Sequence, residues 1–324
     1  MKIKHYLFFI FSSVLNIFSA AKKTTVGGQA IIEGVMMRGK NKISWAVRKG
    51  PNDIVIEHEE FVSIAHKYPI LKKTILRGAI SLYESLVIGY KALSRSAEIT
   101  TEAENLQNSN HIEKKSNKVL EKFYSILSFV IALAISMGLF MYAPMWILSK
   151  FIPKDSALLF NALAGVMRIA LFLGYLILIS MWKEIRRVFE YHGAEHKAIF
   201  TFEDGKELTT ANMQPYSTFH PRCGTSFLFL VLMICILLFS IVDALFISFL
   251  GPYPNVLTRF LVHILLMPIV SGASYEVLKL SDRYQKTPLV NLLIKPGLWL
   301  QKITTKEPDQ DQLEVASLAL KAVI

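Results

Sequence analysis

Long apolar stretches separated by short polar ones dominate the second half of the chain. Their lengths predict four membrane spans, at about Phe123 to Leu148, Leu158 to Trp182, Ser226 to Leu250 and Val256 to Leu280. Each reaches the roughly 20 apolar residues that a helix needs to cross a bilayer. Pro144 lies near the end of the first span and Pro268 inside the fourth, which membrane helices tolerate when neighbours satisfy the freed carbonyl.

The first half has a different rhythm. Tyr6 to Ala21 is apolar, with Lys2 and Lys4 before it and Lys22 and Lys23 after it. It is short for a span. We read residues 1–23 as an uncleaved anchor or extension in preference to a signal peptide, because cleavage would invert every later helix. Thr24 to Pro69 reads as a small β-rich unit. Gly27, Gly28, Gly34 and Gly39 punctuate it, and the turn cluster Lys49 to Asp53 joins the alternating runs Ile43 to Arg48 and Ile54 to Glu59 as a hairpin. From Pro69 to Ala97 an apolar stripe with basic residues beside it predicts an amphipathic helix, on a membrane surface or packed on its own soluble unit. Glu98 to Lys118 is polar and predicts a flexible linker. A last helix, Gln310 to Val323, is expected to dock back on the N-terminal unit.

Composition agrees with this partition. The 324 residues are 52% hydrophobic and carry a net charge of +11. The Lys and Arg residues flank the spans and form no basic stripe interleaved with aromatics, so nucleic acid is not an expected partner. Lys183 to Arg222 and the tail after Lys279 are basic, whereas Gly251 to Asn255 carries no charge. The positive-inside rule then puts the N-terminal unit, the central loop and the tail on the cytoplasmic side of a bacterial inner membrane. Of the two cysteines, Cys235 lies in an apolar run and reads as packing, and Cys223 lies in a polar segment. Nothing in their placement suggests a disulfide.

The recognisable chemistry follows the second span. Tyr191-His192-Gly193-Ala194-Glu195-His196-Lys197 contains H-x-x-E-H. On a helix His192 and His196 share one face and Glu195 is one turn from His192, so two imidazoles could hold a divalent ion beside a carboxylate base. Gly193 argues against a helix there. His220-Pro221-Arg222-Cys223-Gly224-Thr225 precedes the third span at the same membrane face, making His220 and Cys223 candidate further ligands. A thiolate beside imidazoles favours zinc. Glu276, near the inner end of the fourth span, is a further candidate ligand, or else a salt-bridge partner. Asp243 lies too far along the third span to join them. The competing reading is a purely structural polar network at the membrane interface.

Val26-Gly27-Gly28-Gln29-Ala30-Ile31-Ile32-Glu33-Gly34-Val35-Met36-Met37-Arg38-Gly39 resembles the opening signature of the YqhQ-like bacterial membrane family, a domain-of-unknown-function family. The resemblance continues through Arg77-Gly78, Glu84 to Leu86, His192 to Lys197, His220 to Thr225, Ser274 to Leu280 and Pro296 to Glu307. The family's usual label, predicted metal-dependent enzyme, implies a metal and an activity but no substrate. The first two dozen residues look like an addition to the family pattern.

The sequence therefore predicts an α-helical polytopic membrane protein of about four transmembrane helices with a small cytoplasmic α+β unit. Its parts are the extension (1–23), the α+β unit with its helix and linker (24–122), the membrane domain (123–280, with a cytoplasmic loop at 183–225) and the tail (281–324). The leading expectation is a metal-dependent, hydrolase-like enzyme whose divalent ion, zinc by ligand chemistry, is held by His192 and His196 with His220, Cys223 or Glu276. Glu195 would be the general base, and Arg222 or Arg38 would steady an anionic group. The alternative is a non-enzymatic scaffold or assembly factor. A transporter ranks third, since four spans show no clear internal repeat. Beyond the lipid bilayer, the expected partners are a second copy of the chain or another membrane protein.

Overall fold

The computed structural model describes residues 26–107, 118–153, 156–221, 223–283 and 287–324. The expected N-terminal anchor at 1–23 and Arg222 lie outside the described residues.

The β-rich unit is a four-stranded antiparallel meander of β1 (Gly27–Ile31), β2 (Gly34–Arg38), β3 (Lys42–Gly50) and β4 (Asp53–Glu60), in that spatial order. The expected hairpin is β3–β4. A second hairpin divides the apolar stretch Ala30 to Met37, with Ala30 facing Val35 and Ile31 facing Gly34. Its two-residue turn puts Glu33 at φ +50°, a conformation that L residues with a β-carbon seldom take. Arg187 and the Tyr191 hydroxyl, at 3.3 Å, hold the Glu33 carboxylate there.

Strand parity sorts the sheet's side chains onto two faces. Ile31, Met36, Ile43, Trp45 and Val47 pack against Ile88, Ala92 and Ile99 of α1 (Thr74–Gln107). Val35, Met37 and Ala46 pack the other way, under Tyr191, Ala194 and Ala198 of α5 (Lys183–Glu203) and Leu313, Ala316 and Leu320 of α9 (Gln310–Lys321). With helices on both faces, β2 and β3 are buried without alternation. Each fully buried Leu in α9 contributes about 1.5–3 kcal/mol. The Asp309 capping box with Gln312 sets where α9 begins. Its docking on the N-terminal unit is as the sequence predicts.

Residues 98–107, expected to be linker, instead extend α1. Ser96, Ile99 and Ala103 lie on one side of that helix and are all buried, so a sparse apolar stripe suffices where a sheet covers it. The part of that linker at 108–117 lies outside the described residues.

The long helices follow the predicted spans. They are α2 (Lys118–Met137), which runs through a π-helical turn (Gly138–Tyr142) into α3 (Ala143–Leu148), then α4 (Ala157–Ile179), α6 (Gly224–Leu250) and α7 (Val256–Arg283). Among the described residues four stretches, Ile126–Leu148, Ala157–Ser180, Val231–Leu250 and Val256–Val277, are long and apolar enough to cross a membrane. Asp243 joins three of these helices. It accepts from Asn161 of α4 at 2.7 Å, from His263 at 2.9 Å and Arg259 at 2.8 Å in α7, and from Tyr253 at 2.9 Å. This network sits at the end of the bundle away from the sheet. The tail adds α8 (Pro288–Thr304), packed on α6.

Candidate metal centre

The H-x-x-E-H motif lies within α5, and the helix is unbroken through Gly193. That glycine serves the tail. A β-carbon at Gly193 would come within 2.1 Å of the Lys306 carbonyl oxygen. Side-chain absence lets the segment after α8 run along α5, where the Lys306 amide donates to the Phe189 carbonyl at 2.9 Å.

This close passage brings the end of α8 to the first histidine. His192 Nδ1 lies 2.8 Å from the Thr304 carbonyl, one of the last-turn carbonyls that an α-helix leaves without an intrahelical donor. His196 Nδ1 meets the Thr218 carbonyl in the loop before α6. Carbonyl oxygens only accept, so both rings carry their proton on Nδ1 and present a lone pair at Nε2. Backbone acceptors of this kind orient histidines that ligate metals. His192 Nε2 is 3.2 Å from Cys223 Sγ. Cys223 is the N-cap of α6, and its sulfur accepts from the Thr225 amide at 3.5 Å, where the helix dipole favours a negative ligand atom.

His192, His196 and Cys223 thus place three ligand atoms within 4.8 Å of one another. Zinc–nitrogen bonds of about 2.0–2.1 Å and a zinc–sulfur bond of about 2.3 Å imply ligand separations of roughly 3.5 Å at a tetrahedral ion. The donor set fits a borderline-soft divalent cation.

Glu195 lines the same cavity, of about 500 Å³, with all three residues. It is almost wholly buried and accepts from the Gly28 amide of β1. Strand parity turns Gly28 toward α5, and a β-carbon there would lie 2.9 Å from Glu195 Cγ. Burial pushes the Glu195 carboxyl above the ordinary carboxylate range, against the opposing pull of His192 and His220. Burial also holds His196 below the ordinary imidazole value, keeping it neutral as a ligand must be.

The other predicted site residues are placed differently. His220 borders the cavity but is not one of the three clustered ligands. Its ring packs 4.4 Å from Phe200 and its Nε2 lies 3.6 Å from Glu203. Its backbone exchanges two 2.8 Å hydrogen bonds with the Gln301 side chain, which ties this loop to α8. Glu276 is forked by Arg77 of α1 and does not belong to the cluster. That arginine is distant in sequence, so no local pattern identified it as the partner. Arg38 lines an adjoining cavity of about 630 Å³, 3.6 Å from Glu84 and with its guanidinium 4.1 Å above the Phe61 ring. Val26 to Gln29 and Ser85 border both cavities, so β1 is the partition between Arg38 and the histidines. Lys197 turns away from Glu195 and donates to Glu307 and to the Gln214 carbonyl. Sequence reasoning missed the Thr218 and Thr304 carbonyls, because a backbone acceptor leaves no mark in residue type.

A curated relative, the uncharacterized protein YqhQ of Bacillus subtilis, is 34% identical over 301 residues, which is 90% of this chain and 89% of the relative. No solved structure matches. The family model described as protein of unknown function (DUF1385) matches residues 74–324. Four apolar helices, the YqhQ relative and that match together mean that the chain belongs to the YqhQ-like DUF1385 family.

Proposed function

We propose that this chain is a membrane-embedded, metal-dependent hydrolytic enzyme, with its site where the sheet unit meets the helices on the cytoplasmic face of a bacterial inner membrane. The observation that carries it is the pair of imidazoles whose Nδ1 atoms are both engaged by backbone carbonyls, leaving two Nε2 lone pairs beside one thiol. His192, His196 and Cys223 would hold a divalent transition metal, zinc by donor chemistry. Three protein ligands leave a position open, as catalytic zinc sites do. Bound there, the ion supplies Lewis acidity.

The chain's own residues supply the rest. Glu195 takes a proton on its carboxylate from the attacking water and returns it to the leaving group, which a carboxyl raised by burial does more readily near neutral pH. Gly28 fixes that carboxylate through its amide. Arg38, across β1, is placed to hold an anionic part of a substrate that extends into the second cavity.

The scaffold reading rests on the same polar ties, since His192–Thr304 and His220–Gln301 bind α5 and the loop before α6 to α8 without any ion. Glu195→Gln separates the two. It keeps shape and one acceptor but cannot take a proton, and a positioned base is worth about 10²–10⁴-fold in rate. Complementation of a deletion strain by Glu195→Gln, at normal protein abundance, should fail for an enzyme. Near-normal function would leave the scaffold ahead.

A further inference from the structure

A third cavity, of about 400 Å³, lies within the apolar bundle and shares no lining residue with the one at the histidines. All four long apolar stretches line it. Met137, Arg168, Phe239 and Met267 on its wall each sit near the middle of their stretch. In a bilayer this places the cavity near half depth. One wall is the π-helical turn Gly138–Tyr142, whose Phe140 meets Phe172 and Tyr175 edge-on. Such turns recur at functional sites because they re-aim side chains without breaking the helix.

Apart from the hydroxyls of Ser136 and Tyr175, the lining is apolar, and Arg168 is the one charged residue among those that line it. That side chain is 6% exposed, and its Nε and one terminal nitrogen have no hydrogen-bond partner among the described residues. Asp243, the buried carboxylate of the bundle, already receives Arg259, His263, Tyr253 and Asn161. No hydrogen bond or ion pair joins it to Arg168 among the described residues. A guanidinium at mid-bilayer is costly, and an unpaired one marks a place where a counter-charge arrives.

We propose that this cavity binds a single-chain acyl acid, its carboxylate paired with Arg168 and its chain against Phe172, Leu232, Cys235 and Phe239. The volume falls in the usual range for small-ligand pockets. An inorganic anion would gain nothing from the aromatic walls. A phospholipid would have to draw a large polar head to half depth, whereas a fatty acid can enter as the neutral acid and ionise beside the guanidinium.

The test is photolabelling of the full chain, in phosphatidylcholine nanodiscs, with a diazirine-bearing palmitic acid. Label should map to the cavity wall, and excess palmitate should suppress it while methyl palmitate and phosphatidylglycerol should not. Arg168→Met should lower labelling by about tenfold or more, the loss of a charge-assisted pair. Leu232→Trp, which fills the cavity and spares Arg168, should do the same. Arg168→Met should also leave thermal stability equal or higher, because it removes an unpaired buried charge. Equal competition by the methyl ester, competition by phosphatidylglycerol alone, or unchanged labelling in both variants would each overturn the proposal. So would a large loss of stability in Arg168→Met, which would make the arginine structural.

Discussion

The carbonyl of Lys306 occupies the space that a β-carbon on Gly193 would need. This contact couples the tail to the candidate metal centre, because the segment that passes Gly193 begins at Thr304, whose carbonyl orients His192. Gly193→Ala should therefore destabilise the fold by about 1–3 kcal/mol, the usual cost of overpacking, although alanine is the better helix former. The measurement is thermal unfolding together with metal content. An unchanged melting temperature would mean that the passage is looser than described.

Acid should remove the contribution of neutral His196 to the metal-free fold. His196 is held below its ordinary value near 6.5 by burial. Below that pH the unfolded chain binds a proton that the folded chain refuses, so stability falls as pH drops. Glu195 acts oppositely. Its carboxyl is raised above an ordinary value near 4.5, so the folded chain holds the extra proton there and stability falls as pH rises through that window. On acidification below about pH 6.5 the melting temperature of chelator-treated protein should fall more steeply, or rise less, in the natural chain than in His196→Asn. A slope identical in the variant would assign it to other groups.

The proposed orientation makes a separate prediction. Cysteine introduced at Asp311 should react with a membrane-impermeant maleimide only after cells are opened, because the basic residues flanking the spans keep that end inside. Asp311 is exposed on α9, which packs on the sheet unit, so the result reports on the sheet as well. Labelling in intact cells would invert the orientation.

How much of this the sequence showed depended on whether the signal was local. The four long apolar helices and the β3–β4 hairpin were legible, because apolar length and a turn cluster are local. The i, i+4 histidines were legible for the same reason. Ile99 and Ala103 were not, since two apolar residues among Glu98, Thr100, Thr101 and Glu102 read as linker until the fold buries them, Ile99 against the sheet. Glu276 was ambiguous because its partner, Arg77, lies far away in sequence. Glu33 gave no sign that it holds a positive φ, a geometry usually left to glycine or asparagine. At the site, residue type identified Cys223 and His220 equally well. Only the fold separated the thiol that meets His192 from the imidazole that turns to Phe200 and Glu203.

The central claim is that His192, His196 and Cys223 hold one divalent metal. Elemental analysis of protein purified in detergent without added metal tests it most directly, on the natural chain and on the His192→Ala/His196→Ala and Cys223→Ser variants. The natural chain should hold close to one zinc, or another divalent transition metal, per chain. That metal should be lost in the double variant and retained at least about tenfold more weakly in Cys223→Ser. A natural chain without metal, or a double variant that keeps it, would contradict the account.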